Sequence, residues 1–322
     1  FVSTVYIICT NKYKIMYFFN KIRNFVNKNP VTRRLFVKLI SPFTVPLLIL
    51  QNYLSIKGYR RRKSIFEWKK KNPKNILYYE SGIAFNISTK KTSKSKYLVF
   101  QKDNEFNETK LVKEVIKPDW TVIDIGANFG WYSIHFSKLV GQNGKVFAFE
   151  PVPETCEELN SNIKLNFSQN IKVFNFALGN KDETISFNVP TFDGGSGASS
   201  EFLRYSKKIQ TSIHKLDEVI KDQNIDKIDF IKADIEGGEL NMLKGAEKLI
   251  KYFKPKILIE IVDMHCYRFG HSPVDVYQFL INKGYNGLYI GNEYSEKKDN
   301  IRIDKLAKPN IKNILNKNYY FY

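Results

Sequence analysis

Residues 121–133, TVIDIGANFGWYS, do most to limit what this chain can fold into. Val122, Ile123 and Ile125 form an almost unbroken apolar, β-prone run, the pattern of a parallel strand covered on both faces by helices. Gly126 and Gly130 then supply a turn with little side-chain bulk. Trp131, Ile134 and Leu139 fit one side of a helix from about Phe129 to Val140. The segment reads as strand, loop and helix N-terminus, and in an open parallel sheet the crevice beyond such a strand is the usual seat of a small ligand. The spacing narrows the choice. Asp124, Gly126, Asn128 and Gly130 do not make the GxGxxG of a dinucleotide cradle, and no Gly-Lys-Ser/Thr follows to hold a nucleoside triphosphate.

A second strand, KVFAFE (145–150), ends in Glu150, roughly 20 residues beyond the turn, where a carboxylate accepts hydrogen bonds from ribose hydroxyls. A ribose without a demanding phosphate fits the pair best, and S-adenosylmethionine has that shape. Either feature alone reads equally well as an ordinary βαβ packing turn followed by a surface Glu. Pro153 then opens a helix carrying Leu159 and Ile163. A third strand, in IKVFNFALGN, is expected to stop at Gly179, with Ala177 and Leu178 at the sheet edge where an adenine ring can rest.

ETISFNVP reads as a strand and DGGSGASSEF as a Gly/Ser segment, either a floppy excursion or a lid. KLDEVI is a short helix. In IDFIKADIEGGEL a buried run ends in Asp234 and Glu236, and Gly237-Gly238 opens a helix bearing Leu240, Leu243 and Leu249. Residues two apart on a strand share a face, so both carboxylates point at one site unless the chain turns at Ile235. There they could bind an amine, act as general base or ligate a hard metal ion; the plainer reading is a helix-capping pair. PKILIEIVD brings Glu260 and Asp263 to the same side, with His265 and His271 on the loop beyond. Ser272 and Pro273 cap a further helix, about 274–283, and YNGLYIGN and NYYFY are expected as antiparallel edge strands. Five buried strands alternating with helices imply an α/β fold with a mostly parallel, doubly wound sheet.

Charge divides the chain in two. Residues 1–75 hold 17 Lys and Arg against the single acid Glu67, whereas the remaining residues carry 34 basic and 31 acidic groups, so nearly all of the +19 net charge is N-terminal. A nucleic-acid enzyme would carry its basic face on the catalytic domain, which speaks against such a partner. We therefore expect a helical basic extension over 1–75, whose first 15 residues support little interpretation, and a catalytic domain over 76–322. The apolar stretch LISPFTVPLLILQNYL (39–54), broken by Pro42 and Pro46, is too short for an ordinary spanning helix. It suits lying on an anionic membrane surface, or packing as an arm on the domain or a second subunit. Cys9, Cys156 and Cys266 are odd in number and far apart, which argues against a disulfide framework or a zinc site and for a reducing, cytoplasmic setting. The run before Cys9 lacks the marks of a secretory signal.

VIDIGANFGWYS, FAFEPVPETCEELNSNIKLN, ALGN, KLDEV, FIKADIEGGELNMLKGAEKLI and PKILIEI, in this order, resemble the FkbM-like methyltransferases over about residues 85–295. The resemblance implies a Rossmann-like class I methyltransferase fold. It also implies S-adenosylmethionine-dependent methylation of a hydroxyl on a sugar, glycolipid or other small product. Asp124, Gly126, Asn128 and Gly130 would then line the methionine end and Glu150 the ribose; Ala127, Pro151, Ala177 and Leu178 are the remaining cofactor-binding candidates. Asp234 and Glu236 match the second acidic motif; with His265 they are the catalytic candidates, and His271 is a further one. No metal ligands are assigned, although a bound Mg²⁺ could replace a protein base. The rival readings are a non-catalytic cofactor-binding or scaffold protein on the same fold and, with the wrong glycine spacing, an NAD-dependent dehydrogenase.

Overall fold

The computed structural model describes residues 56–79, 81–88, 93–99, 106–190, 206–290 and 317–322. The apolar stretch 39–54, most of the basic extension and the Gly/Ser segment 193–202 lie outside the described residues. Within them the strands are β1 (Ile76–Tyr78), β2 (Ala84–Asn86), β3 (Thr121–Ile125), β4 (Lys145–Phe149), β5 (Ile171–Phe174), β6 (Ala177–Leu178), β7 (Glu183–Pro190), β8 (Ser206–His214), β9 (Phe230–Ala233), β10 (Lys256–Ile261), β11 (Gly287–Ile290) and β12 (Lys317–Phe321). A seven-stranded sheet runs β11-β12-β10-β9-β3-β4-β5, beside a hairpin β1-β2 and a three-stranded sheet β6-β8-β7.

The chain enters the large sheet beside its central strand, on β3, and steps outward to β4 and β5. The connecting helices Trp131–Val140 and Pro153–Leu165 pack on one face with Val122, Val146 and Ala148. It then returns to the other side of β3, to β9 and β10, and the helices Leu216–Asp222, Glu239–Gly245, Glu247–Phe253 and Pro273–Asn282 cover the opposite face, against Ile123, Ile125, Ile231 and Ile259. Right-handed crossovers require this change of face when the direction of travel reverses. The reversal falls between β3 and β9, and the crevice outside their carboxyl ends is where a doubly wound sheet takes a ligand.

Strand alternation decides which polar groups reach that crevice. Ile123 and Ile125 face one core, whereas Val122 and Asp124 face the other. The register sets Asp124 opposite Lys232, and Glu260 opposite Asn318. Polar groups from four adjacent strands thus end up near one another at the top of an otherwise apolar face. The described part of the basic extension is the helix Ile56–Lys71, whose Trp68 packs against the same core.

Four sequence expectations are corrected. The third strand breaks at Asn175, whose side chain donates to the Glu150 carbonyl at 2.8 Å, so Ala177 and Leu178 pair with β8 in the small sheet instead of ending β5. The C-terminal strand does not lie at the edge: β12 is inserted antiparallel between β10 and β11, and β11 itself runs parallel to β10. His265 rides the helix Asp263–Arg268 rather than a loop. The helix after Gly238 is also two helices, with Leu249 on the second.

Candidate active site

The turn after β3 is stitched to the end of β4. Gly126 and Ala127 donate their N–H groups to the Phe149 carbonyl at 2.9 and 3.0 Å. The Glu150 carboxylate accepts from the Asn128 N–H at 2.9 Å and from the Val152 N–H at 3.0 Å. Three residues of the turn, Gly126, Asn128 and Gly130, have positive φ (78°, 52° and 96°), a course that two glycines and an asparagine follow with least strain. At Gly126 space is limiting as well, since a Cβ there would lie 2.0 Å from the Asp234 carbonyl oxygen. The two loops leaving β3 and β9 are therefore in backbone contact.

Glu150 is buried, and that burial pushes its carboxyl up to about 7 against the two backbone N–H groups that favour its charge. Its oxygens border a cavity of about 380 Å³ that also meets Gly126, Asn128, Pro151, Ala177, Leu178, Asp234 and Glu236. Phe176, Leu178, Ile185 and Ile213 contribute apolar lining to the same cavity. β6 leaves the main sheet, yet the small sheet still brings Ala177 and Leu178 to the cavity.

Five predicted residues do not border it. Asp124 lies fully buried below the floor, where Ser133 donates to its Oδ2 at 2.6 Å and Oδ1 has no hydrogen-bond partner among the described residues. Burial raises its pKa, and the Lys232 ammonium opposes that. Ala127 packs with Ala148 and Leu159, and Gly130 caps the following helix, with room only for hydrogen beside Leu159. His265 stands behind the acidic loop; burial, then Arg268, lowers it to about 4, so it is neutral at physiological pH. His271 is buried just beyond the C-terminus of the same short helix.

The acidic pair converges, but not by strand alternation. β9 ends at Ala233, and Glu236 (φ 54°) and Gly237 (φ 119°) turn the chain so that both side chains enter the cavity. Burial works against ionisation of Asp234, but Lys232, Lys94 and a hydrogen bond shared with Glu260 outweigh it and hold its carboxyl below the usual range. The Lys232 Nζ lies 3.4 Å from Asp234 Oδ2 and 4.8 Å from the centre of the Tyr132 ring. Glu236 goes the other way: burial raises it, despite the Lys94 ammonium 3.1 Å from its Oε1. Two neighbouring carboxyl groups thus have pKa values pushed apart, the arrangement that separates an ionised orienting group from a group able to take a proton.

Lys94 and Lys232 were not singled out in the sequence. Lys232 had a legible signal, a lone cation in a buried strand; Lys94 had none, because it meets a residue 142 positions away from within a lysine-rich stretch.

A mostly parallel seven-stranded sheet with one antiparallel strand, a glycine turn at the reversal point and a buried carboxylate at the end of β4 define the Rossmann-like methyltransferase fold. The sequence profile of the methyltransferase FkbM domain matches residues 124–286, just over half of the chain, and the chain belongs to that family. Relatives include the hexuronic acid methyltransferase AglP of Haloferax volcanii, 27% identical over 171 residues, which are 53% of this chain and 65% of that protein. Another is the 2-O-methyltransferase NoeI of Sinorhizobium fredii, 23% identical over 155 residues, 44% of this chain and 63% of that protein. Methyltransferase sdnD of Sordaria araneosa is 26% identical over 157 residues, covering 39% of this chain and 60% of it. The match thus spans less than two thirds of each of these relatives. A solved FkbM methyltransferase from Methylobacillus flagellatus aligns with TM-score 0.42 and 19% identity, over 66% of this chain and 50% of that one.

Proposed function

We propose that the protein is an S-adenosylmethionine-dependent O-methyltransferase acting on a hydroxyl of a sugar or glycolipid. The observation that carries this reading is the gathering of Gly126, Asn128, Glu150, Leu178, Asp234 and Glu236 around one cavity inside the matched span. The donor set fits the cofactor: a carboxylate suited to a ribose diol, an apolar wall suited to adenine, and acidic groups suited to an ammonium and a sulfonium cation. When bound, S-adenosylmethionine supplies an electrophilic methyl group that needs little activation. The protein's share is alignment and proton removal.

Glu236 is the proposed base, because its carboxyl is raised and it reaches the cavity. It would take the proton of the acceptor hydroxyl whose oxygen receives the methyl group. Asp234, kept ionised by Lys232 and Lys94, orients the acceptor or the cofactor amine. Lys94 offsets the charge on Glu236. A sugar acceptor is supported by the two relatives named for hexuronic acid and 2-O-methyl transfer. No protein metal site for the transfer is proposed. In the same reading the basic residues of 1–75 hold the enzyme at an anionic membrane surface, on the cytoplasmic side.

The test is incubation of the full chain with methyl-¹³C-labelled cofactor and uronic-acid or neutral oligosaccharides, followed by NMR. A new O-methyl resonance on one sugar carbon supports the proposal; transfer to nitrogen or carbon contradicts it.

A further inference from the structure

Next to the acidic loop, and outside the lining of the cavity, Glu239, Cys266 and His271 come together. One ligand-type atom from each, a carboxylate oxygen, Sγ and an imidazole nitrogen, lies within 4.8 Å of the other two. All three side chains are buried, at 1%, 0% and 8% exposure. Glu239 Oε2 and His271 Nε2 are shielded from solvent without any hydrogen-bond partner among the described residues. A buried carboxylate oxygen and a buried imidazole nitrogen left bare carry a desolvation cost that folding normally avoids.

The orientation of each group is fixed from outside the cluster. Glu239 Oε1 accepts the N–H groups of Ile235 and Gly237 at 3.2 and 3.1 Å, which leaves Oε2 aimed inward. The His271 ring makes its other hydrogen bond to the Phe269 backbone. That is the arrangement in which metal-bound histidines present Nε2 as a lone pair. The backbone ties Cys266 to His271, whose N–H donates to the Cys266 carbonyl at 3.3 Å.

We propose that Glu239, Cys266 and His271 form a binding site for a borderline-soft divalent cation, Zn²⁺ in particular. Sulfur, nitrogen and carboxylate oxygen together suit zinc and disfavour magnesium and calcium. At bond lengths of about 2.0–2.3 Å the triangle closes onto one ion by small side-chain rotations. Three protein ligands leave one tetrahedral position for a small molecule such as water. The ion touches neither acceptor nor cofactor. Its effect passes through Glu239 to the Ile235–Gly237 backbone, so it braces the loop that carries Asp234 and Glu236.

The experiment uses the full chain, stripped with chelator and titrated with Co²⁺ while the near-ultraviolet thiolate-to-cobalt charge-transfer band is recorded. The expected result is a band that saturates at one equivalent and disappears on adding Zn²⁺. It persists in Cys156→Ser and is lost in Cys266→Ser. The wild-type titration decides binding even if a variant misfolds. Absence of any thiolate band at saturating Co²⁺ overturns the proposal, and so does a band unchanged by Cys266→Ser in folded protein. Because the readout is spectroscopic, failure of the methyl-transfer reading leaves it unaffected.

Discussion

At the scale of single residues, the proposed role of Glu150 would link cofactor binding to pH. Its folded-state pKa is raised to about 7 from an ordinary 4.5, so the carboxyl is protonated in the folded protein over that interval. It therefore contributes stability that is fully present below about pH 4.5 and is lost as pH rises through 7, about 3 kcal/mol in the cofactor-free protein. Ribose hydroxyls donate to the ionised form, so the sign for binding is opposite. Affinity for S-adenosylmethionine should strengthen up to about tenfold per unit as pH rises toward 7, then level off. Calorimetry across pH 5–9 checks this, and Glu150→Gln should bind weakly with a flat profile; a steep profile in that variant would sink the assignment. Gly126→Ala should cost about 3 kcal/mol in urea unfolding, since left-handed backbone and collision with the Asp234 carbonyl add together. A loss under about 1 kcal/mol would mean the two loops separate easily. These residues were legible because glycine and carboxylate interrupt apolar runs. The position of Lys94 depends on contact across the fold with Glu236, 142 residues away, which no local spacing encodes.

At the scale of elements, β12 has the largest untested consequence. Its Tyr319, Tyr320 and Phe321 are each at most 1% exposed, and its backbone closes the ladder between β10 and β11. Phe321→Ala should therefore cost about 3–5 kcal/mol; a thermal unfolding midpoint shifted by only a degree or two would contradict an interior strand. The core strands β3, β4, β9 and β10 were readable because each is a short apolar run followed by a turn. β6 was not separable from β5, since IKVFNFAL reads as one run rich in apolar residues and the break comes from the Asn175 bond to the Glu150 carbonyl. β8 was missed because KKIQTSIH is polar on its exposed side. The insertion of β12 between two earlier strands is a choice of topology, and NYYFY reads equally well at an edge.

At the scale of the whole molecule, the chain joins a nearly neutral methyltransferase domain to a strongly basic extension. Among the described residues no helix is long and apolar enough to cross a membrane. If the extension docks on anionic lipid, the full chain should float with phosphatidylserine vesicles, stay behind with zwitterionic ones, and be released near 1 M salt, where screening acts within about 3 Å. Flotation indifferent to lipid charge would assign the basic residues another role. The account's central claim is that one cavity binds S-adenosylmethionine and that Glu236 removes the acceptor proton. The most direct measurement pairs calorimetric cofactor binding with single-turnover transfer for the wild type and Glu236→Gln. The account predicts cofactor affinity within about threefold, less than ~1 kcal/mol, and a transfer rate lower by about 10²-fold or more. Unchanged transfer in Glu236→Gln, or loss of binding and transfer together, would contradict it.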